Sequence, residues 1–377
     1  MKRSSILPIF IIAMFLAFGL TACHEDTSET DFFLIELDKH THVGEISSTL
    51  NEIAESIRVI PVETTDSVLL NSLEIIGTHG NRFICYDQNY VYSLDRTTGK
   101  TKILLNQRGQ GPKEYINIID PVLENDTLRF YDSGKSGFLR YTLQGEYVDF
   151  LRNDSTTTYY KLPDGNYYMA YPYYIHPVYY TDVYDKNWKL LRHGIPNEHS
   201  DLRYNYRFVS IGGLYYNQAL FYREYYGDTI YRVSTEADVP YLVLSMGNLK
   251  MPPEITTDLL TWNAKQNQYI DGIFFWFASD YCFLYHSYDQ KFYCDIWNLN
   301  TGKLLYREIL ERSEYRLGRG TIRCTVNDIS IQVTPKYTEG NTAYFEIPPT
   351  DVLKLYPNAP EDTNPMILEV KLKEFQK

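Results

Sequence analysis

The 377-residue chain is poor in the residues and patterns that carry most enzyme chemistry. None of its eight histidines sits in an H-E-x-x-H arrangement. No Gly-x-Ser-x-Gly occurs, so the strained turn that lifts a catalytic serine has no signature here. Five cysteines form no C-x-x-C pair, which removes the usual signals of a zinc site or a dithiol redox centre. Positive charge is scarce: 36 Lys and Arg stand against 48 Asp and Glu, a net charge of −12. Nucleic-acid binding needs a basic face, and docking on an anionic membrane surface needs basic clusters. The composition argues against both. After Leu20 no long apolar run remains.

The single apolar run, Ile6–Leu20, is broken by Pro8 and Gly19 and preceded by Lys2 and Arg3. It falls short of the about 20 apolar residues of a membrane-spanning helix. With the small residues that follow, it describes a secretory signal peptide over residues 1–22. Leu20-Thr21-Ala22-Cys23 resembles the lipobox of bacterial lipoproteins. That resemblance implies cleavage before Cys23 and acylation of its thiol and new amine, hence attachment to a membrane through a lipid anchor. An ordinary signal peptide with a cysteine at its edge is the plainer alternative. Two acyl chains hold a protein stably where one binds marginally. Residues 23–32 form a polar, acidic tether that cannot bury enough apolar surface to fold. His24–Asp31 resembles the acidic export signal of Bacteroidetes lipoproteins, which implies an outer-membrane lipoprotein exposed at the cell surface. A plain solvated linker on a periplasm-facing lipoprotein is the other reading. Loss of Lys2 and Arg3 with the signal takes the net charge from −12 to −14.

From Leu73 a rhythm sets in. Tyr92-Ser93-Leu94-Asp95 leads through Thr98-Gly99-Lys100 to Ile103–Leu105. Arg140–Leu143 leads through Gln144-Gly145-Glu146 to Val148–Leu151, and Thr181–Asp185 through Asn187-Trp188-Lys189 to Leu190-Leu191. Thr229–Val233 precedes Tyr241–Leu244, and Asp295–Leu299 leads through Thr301-Gly302-Lys303 to Leu304–Tyr306. A degenerate copy is expected at Ala343–Ile347 and Val352–Leu355. A period of about 40 to 65 residues signals propeller blades or a solenoid. Each copy holds four short strands, its Gly turns suit hairpins, and no helical half-repeat occurs, so blades in a ring are favoured. The expected fold is all-β: a six-bladed β-propeller of four-stranded antiparallel blades over residues 33–377. An N-terminal strand at Ser56–Val62 closes the ring and removes its open edges. Met251-Pro252-Pro253-Glu254 starts a short helical insertion at about 251–267, with proline tolerated in the first turn.

Asn89–Asp95 followed by Gly109-Gln110-Gly111-Pro112-Lys113-Glu114-Tyr115, then Gly227-Asp228-Thr229-Ile230-Tyr231 and Asn327-Asp328-Ile329, resembles the six-bladed propeller lipoproteins of Bacteroidetes, which are similar to NHL-repeat propellers. Lys113 departs from the family's usual glycine, and Ser330-Ile331-Gln332 from its usual Asp-Gly-Gly. The resemblance implies six blades and a lipid anchor, and no established activity.

Candidates for chemistry are few. The glycines of Arg108–Tyr115 can cradle an anion, yet Pro112–Tyr115 leads into a strand rather than a phosphate-binding helix. Glycine and proline there serve a turn. Asp87, Asp95, Asp132, Asp185 and Asp228 recur near strand ends. They read as caps of turns, or as calcium ligands in the manner of gluconolactonase-type hydrolases. His40 and His42, and His176, His193 and His199, lack a matched carboxylate in sequence. Cys282 and Cys294 are spaced to meet across a hairpin as a disulfide or to stay buried as free thiols beside Cys85 and Cys324. Of 36 tyrosines, Tyr159, Tyr160, Tyr167, Tyr168, Tyr171, Tyr173, Tyr174, Tyr179 and Tyr180 crowd one blade. Tyr215, Tyr216, Tyr222, Tyr225 and Tyr226 crowd the next. Inward rings pack between blades, and outward rings offer contact area for a ligand. The leading expectation is a binding module for a protein, peptide or glycan, with no cofactor. The alternative is a calcium-dependent hydrolase or lyase with its site at the channel mouth.

Overall fold

The computed structural model describes residues 32–374 except 47, 66–67, 71–72, 88–89, 153–157, 172–177, 203–211 and 312–320. The signal peptide, Cys23, Asn89, Tyr173, Tyr174 and His176 lie outside the described residues. The chain begins with strands β1 (Phe33–Glu36) and β2 (Ala54–Ile60), separated by helices α1 (Leu37–His40) and α2 (Leu50–Ile53). Blade 1 is β3 (Glu74–His79), β4 (Arg82–Asp87), β5 (Tyr90–Asp95) and β6 (Thr101–Leu105). Blade 2 is β7 (Ile119–Glu124), β8 (Thr127–Asp132), β9 (Gly137–Thr142) and β10 (Tyr147–Arg152). Blade 3 is β11 (Thr158–Lys161), β12 (Tyr167–Ala170), β13 (Thr181–Tyr184) and β14 (Leu190–His193). Blade 4 is β15 (Gly213–Tyr216), β16 (Ala219–Arg223), β17 (Thr229–Val233) and β18 (Asp238–Ser245). The insertion follows as a 3₁₀ turn at Pro253–Thr257 and helix α3 (Leu259–Lys265). Blade 5 is β19 (Asp271–Ala278), β20 (Tyr281–Tyr288), β21 (Lys291–Asn298) and β22 (Lys303–Glu311).

The last blade joins the two ends of the chain. Its strands come from β24 (Ile329–Glu339), β25 (Thr342–Ile347), β26 (Met366–Leu372) and, outermost, β2. The first half of β24 pairs instead with β23 (Ile322–Val326). Ile57 lies opposite Val370 and Val59 opposite Leu368, and Arg58 grips Glu369 across the pair at 2.9 and 2.8 Å. The ring is therefore six-bladed and closed by an N-terminal strand, as the repeats predict. The expected strand at Val352–Leu355 is instead helix α4 (Pro349–Leu355). Proline at its first position suits a helix start, and the third strand of that blade lies further on, at β26.

Among the described residues, apolar clusters fill five of the six seams between blades. Leu128, Phe130 and Tyr141 meet Ile84 and Val91 between blades 1 and 2. Tyr168 and Val183 meet Leu220 and Tyr222 between blades 3 and 4. Phe277 and Trp297 pack on Leu242 and Leu244 between blades 4 and 5. Phe283 and Ile296 pack on Phe345 and Leu368 between blades 5 and 6, and Phe83 and Leu94 on Tyr344 and Ile367 between blades 6 and 1. Each such side chain contributes about 1.5–3 kcal/mol on burial. Between blades 2 and 3 the filling is different: Arg129 sits between the rings of Tyr159 and Phe138, bonded to Glu124 at 2.7 Å and to the Tyr159 carbonyl at 2.9 Å.

Before β2 closes the ring, the N-terminal segment straps blades 4, 5 and 6 together. β1 pairs in parallel with β18 of blade 4. Over blade 5, buried Arg307 donates to the carbonyls of His40 and Val43 and is clamped by Asp295. Buried His286 and Trp297 donate to the same carboxylate at 3.2 and 3.3 Å. Despite the burial, Arg307 and His286 hold the Asp295 carboxyl below its usual range.

Candidate functional site

The two faces of the ring differ. One carries the turns from first to second and third to fourth strands; the other carries the longer crossovers between blades. On the turn face a cavity of about 420 Å³ opens into the central channel. Ile76, Gly77 and Thr78 of β3, Val122 and Leu123 of β7, Tyr215 and Tyr216 of β15 and Tyr337 of β24 form its wall, and Asn125, Asn217 and Gln218 its rim. The inner strands converge there because each blade's first strand faces its neighbours around the axis, β3 lying against both β24 and β7.

The lining is polar but mostly uncharged. Its carboxylate, Glu339, accepts from Arg96 at 3.2 Å and from Thr78 at 3.3 Å. The Tyr216 hydroxyl is spent on the Gly340 carbonyl and the Ser279 amide. Thr338, which also lines the cavity, has a buried hydroxyl with no hydrogen-bond partner. An unpaired buried hydroxyl is costly. Asn217 and Gln218 adopt left-handed φ of 47° and 60° and separate this cavity from a second, of about 480 Å³, between blades 3 and 4. Leu162, Ala219, Val233 and Val239 make that second cavity largely apolar, and Arg232 and Glu236 stand at its edge.

The crossover face holds the insertion and a buried carboxyl with a raised pKa. Met251 of the insertion packs with Tyr180 and Tyr226, and Trp262 lies against them. Beneath, burial pushes the Glu224 carboxyl up to about 8, against the opposing hydrogen bonds from the Tyr226 and Gly227 amides. Burial likewise brings Arg223 down to about 10. Its Nη2 donates to the Tyr225 carbonyl at 2.9 Å while its buried Nε is unpaired.

The loop Arg108–Tyr115 is closed on itself. Gly109 donates to Tyr115 and Tyr115 to Gln107. The Gly111 amide, which an external anion would need, donates to Glu114 at 2.7 Å. Lys135 donates to the carbonyls of Gly111 and Glu114, and Tyr115 is fully buried. The aspartates act as local caps. Asp95 accepts from the amides of Thr97 and Thr98, Asp185 from those of Asn187 and Lys189, and Asp132 from those of Ile116 and Gly134. Asp228 meets Lys250 at 3.1 Å, and Asp87 is buried. Among the described residues no group of three or more His, Cys, Asp or Glu side chains is placed to hold a metal ion.

All four described cysteines are buried free thiols. Cys282 lies opposite Trp297 and Cys294 opposite Tyr285. Since 282 and 285 alternate in side, the two sulfurs lie on opposite faces of the blade and cannot bridge. His40 bonds the Glu36 carbonyl through Nδ1, and His42 is exposed near it. His199 lies on the crossover beyond blade 3. His193 has the carboxylate that spacing along the chain hid: its Nδ1 is 2.8 Å from Asp182. A turn over residues 186–188, followed by a register shift between Val183 and Tyr184, places 182 opposite 193, so the turn alone would not have paired them.

Residues 33–374 match the family described as a domain of unknown function (DUF4934). No curated protein matches the sequence. Solved structures share the fold, and two of them are from Bacteroides. A protein of Bacteroides fragilis described as exported superposes with a TM-score of 0.66 at 16% identity, over 91% of this chain and 99% of that one. A DUF4221-family protein of Bacteroides vulgatus gives 0.51 at 12% identity, over 85% and 97%. Among the described residues no helix is long and apolar enough to cross a membrane.

Proposed function

The chain belongs to the DUF4934 family, and we propose that it is an exported, lipid-anchored propeller that binds a neutral polar ligand, glycan or peptide, at the cell envelope. The observation that carries the reading is the channel cavity itself, walled by the Thr78 hydroxyl and by Tyr215, Tyr216 and Tyr337, with the amides of Asn125, Asn217 and Gln218 at its rim. Such a wall fixes a ligand by a few placed hydrogen bonds over apolar ring surface. The Leu20–Cys23 sequence supports the anchor, and the acidic stretch after it supports an outer-membrane lipoprotein displayed at the cell surface. Nine residues separate Cys23 from Phe33, so the ring would stand within about 30 Å of its anchor. Kinship to NHL-repeat propellers belongs to the same proposal.

Two measurements test it. Replacing Asn125 and Gln218 together by Gly keeps both left-handed turns, at φ of 57° and 60°, and removes two amides from the cavity rim. The apoprotein should keep its stability within roughly 1 kcal/mol, while any glycan or peptide that raises Tm in wild type should bind more weakly. Equal binding by both proteins overturns the channel as the site. Cys23→Ala should release the protein from membrane fractions; continued co-sedimentation with membranes overturns the anchor.

A further inference from the structure

The outer half of the seam between blades 2 and 3 is unlike the rest of the ring, and we propose that it is a saccharide-binding subsite built on Trp188. The turns joining third to fourth strands in blades 1, 2 and 5 carry Gly99, Gly145 and Gly302 at φ of 73°, 82° and 62°. In blade 3 the equivalent position is Trp188, at φ 65°. A left-handed backbone costs a side-chain-bearing residue about 1–2 kcal/mol, and for a bulky residue it is a true outlier. The conformation aims the indole at Tyr167, where it lies parallel at 4.7 Å, and edge-on to Tyr159 at 5.4 Å. Trp188 nevertheless keeps 36% of its surface exposed.

From this platform a line of polar and aromatic groups crosses the same face of blade 3. Tyr184 lies opposite Tyr167. Its hydroxyl meets that of Tyr171 at 2.9 Å, and Tyr171 donates to Asp182 at 2.9 Å. The other Asp182 oxygen holds His193 Nδ1, and Tyr179 stacks on that imidazole at 4.2 Å. His193 is half exposed, and Nε2 is the ring nitrogen left to meet a ligand. Leu190–His193 spans about 10 Å, so platform and imidazole suit an extended chain better than a single ring.

Among the described residues that face this seam the charged groups are paired, and Lys186 and Lys189 stand exposed on the turn itself. Asp182 is satisfied on both oxygens, and Arg140 is clamped to Asp149 on the blade 2 side. The partner that fits flat rings and fixed hydrogen-bonding groups without a countercharge is a neutral oligosaccharide, with C–H faces for the rings and hydroxyls for the polar line. A peptide adding itself as a strand would use the backbone edge of β14, whereas these groups lie on the face.

The test is titration of the purified protein with neutral oligosaccharides of glucose, mannose, galactose and N-acetylglucosamine, read by tryptophan emission and by calorimetry. Trp188→Gly restores the residue other blades use, so it should fold with equal or higher Tm and bind the active saccharide about tenfold more weakly or worse. Trp188→Phe should recover part of the affinity. Undiminished binding by Trp188→Gly overturns the proposal, as does a panel in which no saccharide binds or a peptide displaces the sugar. If the double variant Asn125→Gly, Gln218→Gly weakens binding and Trp188→Gly does not, the ligand sits in the channel; the seam is then wrong and the proposed function stands.

Discussion

Glu224 shows how far one buried side chain can set a property of the whole. Burial raises its carboxyl to about 8, well above the unfolded value near 4.3. Between those values the native state holds a proton that the unfolded state has lost. The stability from this group is therefore fully present below about pH 4.3 and is lost as pH rises through 8, at up to about 1.4 kcal/mol per unit. Glu224→Gln keeps the shape without the titration, so the decline of Tm between pH 5 and 8.5 should flatten, most of the gain appearing at the alkaline end. Parallel melting curves for the two proteins would refute the assignment. No sequence pattern announces such a residue. Glu224 lies in a Tyr-rich run, and its shift comes from burial in the folded chain. Thr338 and Trp188 are silent for the same reason, since an unpaired hydroxyl and a left-handed indole are properties of surroundings and backbone. Asp182 and His193 were legible only in part, because the turn pairs Tyr184 with Leu190 and a register shift beyond it sets 182 against 193.

The elements were easier to read than the sites, and the exceptions have a topological cause. Gly99, Gly145 and Gly302 mark hairpins with φ > 0, and alternating apolar residues mark the strands around them, so five blades follow from local pattern. The sixth draws its outer strands from Ala54–Ile60 and Met366–Leu372, some 300 residues apart, and no local period can join them. The same closure gives Gly99 a second duty. Its carbonyl accepts from the Glu63 amide just beyond β2, and a β-carbon there would overlap the Pro61 carbonyl. Gly80 has a comparable φ of 58° and open space around it. Gly80→Ala should therefore cost only the backbone term, about 1–2 kcal/mol. Gly99→Ala should exceed it by at least roughly 1 kcal/mol, the overlap being added. Equal losses in chemical denaturation would mean that the segment after β2 does not bear on the turn.

For the whole ring, the question is where it opens first. Propellers invite the guess that the joint between chain ends is weakest, yet here that seam is among the well filled. Ile60 and Val62 from the N-terminal segment join Phe83, Leu94 and Ile367 in one apolar cluster, and β2 adds a full antiparallel pairing to β26. The seam between blades 2 and 3 instead rests on Arg129 and Glu124, both almost wholly buried. A buried ion pair roughly breaks even against its desolvation, whereas losing one partner costs about 3–5 kcal/mol. That seam contributes specificity of docking more than stability, and its outer half adds hydroxyls and half-exposed rings in place of aliphatic packing. Sub-global opening draws on the least stabilised contacts. Hydrogen exchange should accordingly show β10 and β11 losing protection at lower denaturant than β2 and β26. Replacing Arg129 and Glu124 together by Met and Leu should narrow that gap, since apolar side chains of similar volume often match or exceed a buried pair. Earlier exchange in β2 and β26 would place the opening at the terminal joint and refute this order. A saccharide bound across the outer seam should protect β14 and slow the opening, so the least apolar joint of the ring is also the one that a ligand can most readily reinforce.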